Sequence, residues 1–389
     1  MNHPFLRFLL TGLLASSLHA AEPTVEARLQ ALEQQVQVLA RENSELKKEL
    51  GWKDTQAPVL VQPAGREAKL AVGGFLQAQG EFGHAADPRW TGVKDRFYFR
   101  RARIYVQGVI AEDFDFKAEL DLQGNSLGAA TGLLARANEI YVGWHKYPEA
   151  TVRLGQLKAA FGAEQLSADT KGFTIERSLA NDRLTDSRQL GLSVGGDVAD
   201  KKVGYLLTVH NGTGPNVSAN DNSKFQKAAR VTFTPIATTE DRLVFGVSGL
   251  WTDDVGVSKS GFGFAGNLFT GERSAWGVDG AWHHGPLDLN AEWLHNTFKP
   301  AGGVEFEADG WSATAAWYLV PARLQGVVRH EEFDPNTGAA GDAMHSWTLG
   351  LNYLVKGEDL RFMVDYVYGE VPGATTDGGR VLTRMQVLF

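Results

Sequence analysis

From Lys69 to Phe389 the chain alternates apolar and polar residues with a period of two. Between Arg101 and Ile110 one set is Arg101, Arg103, Tyr105 and Gln107, and the other is Ala102, Ile104, Val106 and Ile110. The next segment repeats the device: Phe114, Phe116, Ala118, Leu120 and Leu122 alternate with Asp115, Lys117, Glu119 and Asp121. One packed core cannot accept both sets, because buried charges need partners. Lipid outside and water inside satisfies both, which is the arrangement of a transmembrane barrel.

Applied along the chain, the pattern predicts an all-β barrel of about 16 antiparallel strands, each about ten residues long. The expected starts lie near residues 70, 96, 113, 136, 150, 188, 202, 225, 241, 274, 286, 308, 322, 345, 358 and 380. Short turns such as Ala111-Glu112-Asp113 and His283 to Pro286 alternate with longer glycine-rich loops. Short periplasmic turns and long external loops are the outer-membrane pattern. The last strand carries Val381, Thr383, Met385, Val387 and Phe389 on one face, as expected of a strand that directs barrel assembly. Trp251, Trp282, Trp293, Trp311, Trp317, Trp347, Tyr366 and Tyr368 are placed for interfacial girdles.

Ahead of the barrel the period changes. Residues 1–20 have the short apolar core and small-residue end of a signal peptide cut near Ala20 or Ala21. Over 22–51, Val25, Leu29, Leu32, Val36, Leu39, Asn43, Leu46 and Leu50 follow steps of four and three. This predicts a short periplasmic α-helical coiled coil, with Asn43 setting register from within the seam. A lone helix of this length is marginal in water, so the heptads predict self-association; the alternative is one amphipathic helix packed on its own barrel. Residues 52–68, with Pro58 and Pro63, read as a linker, and 69–389 as the barrel.

Composition narrows the picture. The chain has no cysteine, which excludes disulfides and thiolate chemistry. A formal charge of −8 argues against nucleic acid as a partner. No metal-ligand spacing, cofactor motif or nucleophile elbow stands out, so neither a cofactor nor an enzyme is expected. Gly261-Phe262-Gly263-Phe264-Ala265-Gly266 fits a dinucleotide pattern but lacks the strand–helix context and reads as a surface loop. His283-His284 reads as a solvated turn.

Several stretches carry a resemblance. They are Phe99-Arg100-Arg101-Ala102-Arg103, Asp113-Phe114-Asp115-Phe116-Lys117, Val152 to Lys158 with Phe161-Gly162, Phe173 to Ser178, and Arg188-Gln189-Leu190-Gly191. In these the chain resembles the phosphate-selective porin O and P family. The resemblance implies a homotrimer of sixteen-strand channels in the bacterial outer membrane, with arginines leading into the pore and lysines at a loop-made constriction. Arg101, Arg103, Lys117 and Arg153 fall on the predicted lumen face. The 159–187 connection, with Lys158 at its start and Lys171, Arg177 and Arg183 within it, is the expected inward loop. Such cations would raise the local concentration of permeating small anions.

The same loop holds Glu164, Asp169, Glu176, Asp182 and Asp186, and the lumen face holds Glu119, Asp121, Glu139, Asp288, Glu292 and Asp365. By count, basic and acidic positions nearly balance. Opposite charges either segregate across the pore or pair as a structural network. Three functions are therefore open: an anion-preferring porin, with phosphate or polyphosphate as candidate solutes; a general diffusion porin of weak selectivity; and a structural tether working through the coiled coil.

Overall fold

The computed structural model describes residues 60–61, 69–122, 135–369 and 378–389. The expected signal peptide and the heptad residues Leu29, Leu32, Val36, Leu39, Asn43, Leu46 and Leu50 lie outside the described residues. A two-residue strand β1 (Leu60–Val61) precedes sixteen longer ones. These are β2 (Lys69–Gly83), β3 (Arg96–Ile110), β4 (Phe114–Asp121), β5 (Arg136–Trp144), β6 (Thr151–Lys158), β7 (Arg188–Val198), β8 (Val203–His210) and β9 (Gln226–Ala237). They continue as β10 (Asp241–Ser258), β11 (Leu268–His284), β12 (Leu287–Pro300), β13 (Phe306–Val320), β14 (Leu324–Asp334), β15 (Met344–Lys356), β16 (Leu360–Gly369) and β17 (Gly378–Leu388).

Each of these strands pairs antiparallel with its sequence neighbour, and β17 returns to β2, so the sheet closes and no strand edge faces lipid. Closure runs from Arg380 opposite Gly83 to Leu388 opposite Phe75. It ends with Phe389 and Gly74 exchanging two backbone hydrogen bonds of 2.9 and 3.0 Å. β1 pairs with β2 at residues 70 and 71, just beyond the end of β17.

Strand alternation sorts the side chains as the pattern predicts. Ile104, Ile110, Phe114, Leu120, Val142 and Leu154 are exposed on the outside, whereas Arg103, Glu119 and Asp121 are buried on the inside. On the outer face, Trp276 and Trp282, Trp311 and Trp317, and Trp347 and Tyr353 are each six residues apart on one strand. An even offset keeps both rings outward, and six residues span about 20 Å of strand. The two rows bracket an apolar band, as interfacial aromatics do.

Two departures from strict alternation matter inside. A β-bulge between β2 and β3 sets Gln77 opposite Arg101 and Ala78 opposite Phe99, so Arg100 is the extra residue. Both Arg100 and Arg101 then turn inward. Second, β10 and β11 extend further than expected, and β11 starts at Leu268 rather than near 274. Phe269, Leu294, Phe298, Ala308 and Phe333 line the inside there, fully buried although they sit on the lumen face. Loops that fold into the barrel cover them.

Candidate functional site

The 159–187 connection runs inside the barrel. Its entry turns at Gly162, whose φ of 80° lies in the region that glycine adopts without strain. A short helix α1 (Ala163–Leu166) follows, and its first N–H groups, from Ala163 and Glu164, donate to the Glu292 carboxylate on β12. A second helix, α2 (Leu179–Leu184), is capped by Ser178, whose Oγ accepts from the Asn181 N–H at 3.1 Å. Leu179 and Leu184 join Phe161, Phe298 and Phe333 in one apolar cluster.

Between the helices, the loop is stitched to the wall. Gln77 donates to the Asp169 carbonyl at 3.0 Å. Arg361 donates to the carbonyls of Thr170 and Gly172 at 2.7 and 3.0 Å. Asn352 donates to Phe173, and Asp365 accepts from the Ile175 N–H at 2.6 Å. Arg329 reaches the Thr174 hydroxyl and the Glu176 carbonyl at 2.6 and 2.7 Å. An irregular segment can be buried this way because β2, β14, β15 and β16 offer inward polar groups to its backbone.

Two carboxylates act as hubs. Asp169 contacts Arg103 at 2.5 Å, Arg177 at 2.8 Å and Arg101 at 3.3 Å. Glu176 contacts Arg100 at 2.9 Å and Arg384 at 2.8 Å. Burial alone would raise both carboxyls; the surrounding guanidinium groups hold Asp169 well below the usual carboxylate range, and hold Glu176 below it too. A third hub, Asp186, binds Lys259 and Arg273 and is likewise held low against the opposing effect of burial.

The predicted basic residues therefore divide. Arg101 and Arg103 are buried beneath the loop and bonded to Asp169; Arg103 also meets Asp121 at 2.8 Å. Lys117 bridges Glu119 and Glu139 at 2.8 and 2.9 Å. Arg153 lies near Asp115 at 3.6 Å, towards the periplasmic turns. Arg177 joins Asp169 to the carbonyls of Glu164 and Ser167. Arg183 donates to the Ser260 hydroxyl.

Lys158 and Lys171 differ. Lys158 donates to the carbonyls of Leu166 and Ser167, at 3.3 and 2.8 Å, and has no carboxylate ion pair among the described residues. Lys171 is exposed at the inward edge of the loop, also without an ion pair among the described residues. Arg188, which heads one of the resembling stretches but is not assigned to the pore from sequence, stands directly across from Lys158 in the β6–β7 register, and its Nε is buried with no hydrogen-bond partner.

The acidic residues divide too, and unequally. Asp169, Glu176, Asp182, Asp186, Glu119, Asp121 and Glu139 all lie in ion pairs. Glu164 lies 3.9 Å from Arg329, and Asp288 binds His283 at 2.7 Å. Glu292 and Asp365 are bound to loop N–H groups instead. The network reading of the charges thus accounts for most acids but leaves several cations over.

Three spaces open inside the barrel. An outer one of about 730 Å³ is lined by Arg89, Arg100, Arg183 and Lys259 together with Asp182 and Asp186. The waist, about 280 Å³, lies between the loop, with Arg101, Lys171 and Arg177 beside Glu164, Asp169 and Glu176, and the β11–β13 wall, with Asp279, Glu292, Asn290, Ser312 and Thr314. One of about 510 Å³ near the periplasmic turns is lined by Arg153 and Arg230.

The family model for "Phosphate-selective porin O and P" matches residues 76–389, nearly the whole barrel. The chain belongs to the phosphate-selective porin O and P family. That places it among bacterial outer-membrane porins rather than among enzymes. It is similar to Porin O of Pseudomonas aeruginosa, 25% identical over 279 residues, covering 63% of this chain and 62% of that protein. The match thus spans less than two thirds of the relative's length. In fold this porin resembles an anion-selective porin from Comamonas acidovorans, with a TM-score of 0.61 and 12% identity over 83% of this chain and 100% of that one. It also resembles the outer-membrane channel DcaP of Acinetobacter baumannii, with a TM-score of 0.59 and 11% identity over 85% of this chain and 99% of that one.

Proposed function

We propose that the chain forms a trimeric, water-filled channel that passes small anions passively across the outer membrane, with phosphate or polyphosphate as candidate solutes. One observation carries the reading: the inward loop's carboxylates are taken up in ion pairs, while Lys158, Lys171, Arg183 and Arg188 have none among the described residues. Glu292 and Asp365 also stand outside ion pairs, bonded to loop N–H groups, so among the described lumen residues named above the cations left over outnumber the acids left over. A charge-paired carboxylate exerts little field at a distance, whereas an unpaired cation beside a narrow aqueous path attracts anions and replaces part of their hydration. The family description supplies phosphate as the first solute to test. Trimerisation rests on the heptads and on the vibrio porin OmpT, similar in fold, which has been solved in a trimer form.

The test is the reversal potential of the purified protein in a planar bilayer under a KCl gradient, followed by phosphate titration. Anion preference with phosphate block is expected. Cation preference would overturn the reading; anion preference without block would leave a general anion channel.

A further inference from the structure

A cleft on the outer wall is not used by the pore. It lies at the extracellular ends of β9 to β12, has a volume of about 540 Å³, and includes Lys224, Phe225, Lys227, Trp251, Asp253, Glu272, Ser274, Thr297 and Lys299. The register sets these side chains in two rows. Lys227 lies opposite Trp251, Trp251 opposite Ser274, and Ser274 opposite Thr297. Above them, Asp253 lies opposite Glu272 and Glu272 opposite Lys299. All point away from the lumen, because their strand neighbours Gln226, Thr252, Arg273 and Phe298 are buried inside.

The depth is informative. Trp251 is 55% exposed and Phe225 50%, and Trp276 of the upper aromatic row lies two residues below Ser274 on the same face. The lower row of the cleft is therefore at the boundary where hydrocarbon gives way to headgroups. A lysine at that level is tolerated when its ammonium reaches upward to an anion.

The mixed chemistry narrows the occupant. Lys224 is paired to Asp253, and Lys299 lies 3.5 Å from Glu305, but Lys227 has no ion pair among the described residues. A plain anionic lipid would need only cations. Carboxylates, hydroxyls and exposed aromatic faces beside lysines instead suit a sugar that carries phosphate: ammonium groups take the phosphate, Asp253, Glu272, Ser274 and Thr297 take hydroxyls, Phe225, level with the upper row, packs on the sugar, and Trp251 in the lower row meets the chains below.

We propose that this cleft seats the phosphorylated sugar headgroup of an outer-leaflet glycolipid. The proposal concerns the outer wall and is independent of which ions the pore conducts.

The experiment uses the full-length porin in detergent micelles doped with a bisphosphorylated disaccharide lipid, with retained lipid counted by native mass spectrometry. Lys227→Glu combined with Lys299→Glu is expected to cut retention about tenfold, a loss of about 1.4 kcal/mol. The same lipid with its phosphates removed should behave like the variant. Single-channel conductance of the variant should stay unchanged, which also reports correct folding. Equal retention by wild type and variant would overturn the proposal. Phosphatidylglycerol binding as tightly, with the same dependence on both lysines, would overturn the sugar specificity, and displacement of the lipid by millimolar inorganic phosphate would show a plain anion site instead.

Discussion

Arg103 shows what the strand pattern can and cannot say about one residue. Its place on the lumen face was legible from alternation with Ala102 and Ile104. Its partners were not: Asp121 comes from the next strand, and Asp169 from a loop more than sixty residues on. Strict alternation from Arg101 would send Arg100 outward, but one inserted residue reverses the phase and no local signal marks the bulge. Arg103→Ala would leave Asp169 and Asp121 undercompensated in a buried setting, where breaking a pair costs about 3–5 kcal/mol. We expect this variant to have a protease-sensitive 159–187 loop, measured by limited proteolysis, whereas Lys158→Gln should leave the loop protected and lower anion preference. Asp169 gives the acid limit of the same assay. Its folded carboxyl lies below its unfolded value, so its contribution is complete above about pH 4, near the unfolded carboxylate value, and is lost only as pH falls through the depressed range. Loop protection should therefore hold from pH 7 to pH 5.

Among elements, strands were more legible than loops. Period two located every long strand, since each must keep one face toward lipid along its whole spanning length. The start of β11 was placed late because Thr270 and Glu272 face outward above the apolar band, where the lipid-facing side need not be apolar. The Gly261–Gly266 segment read as a surface loop, yet it folds inward. Phe262 lies 4.8 Å from Phe298 and 5.7 Å from Phe333 between ring centroids, and Phe264 lies 5.0 Å from Phe269. Those partners are on lumen faces, where sequence leads one to expect water. Two phenylalanines spaced by glycine carry no sign of which side of the wall they will choose.

The inward turn of this segment joins two loops. Lys259 binds Asp186, Arg183 binds Ser260, and the Phe262 and Phe264 rings cover the cluster that holds Leu184. Burying a phenylalanine contributes about 1.5–3 kcal/mol, so removing two half-buried rings should cost a similar sum. Phe262→Ala with Phe264→Ala is expected to leave the barrel assembled and to increase open-channel current noise, because the inward loop loses its cover on that side. Noise equal to wild type in planar bilayers would show that the wall contacts of residues 169–176 hold the constriction alone.

At the scale of the molecule, the outer wall is not uniform. The exposed tryptophans Trp251, Trp276, Trp282, Trp317 and Trp347 all lie on β10 to β15. The wall of β2 to β8 instead exposes mainly Phe97, Ile104, Phe114, Leu120, Val142, Leu154 and Leu207, with the amphipathic rings Trp144, half-buried, and Tyr147 paired at the β5–β6 turn. Tryptophan at an interface serves a wall that meets headgroups; a wall that meets another barrel has no need of it. The expected trimer would then pack through β2 to β8, with residues 25–50 adding a second contact through their heptads. These two contributions are separable. Deleting residues 25–50 should leave a trimer in unheated sedimentation if the walls carry most of the association, with dissociation at lower temperature than the full chain. Replacing Val142 and Leu154 by arginine should weaken the trimer even with the heptads intact, because each buried arginine would lack a partner. A trimer that survives the wall changes but falls apart on the deletion would place the association in the helices. A monomer from the intact chain would remove the trimer altogether while leaving the single barrel, whose closure from β17 to β2 is complete within one chain.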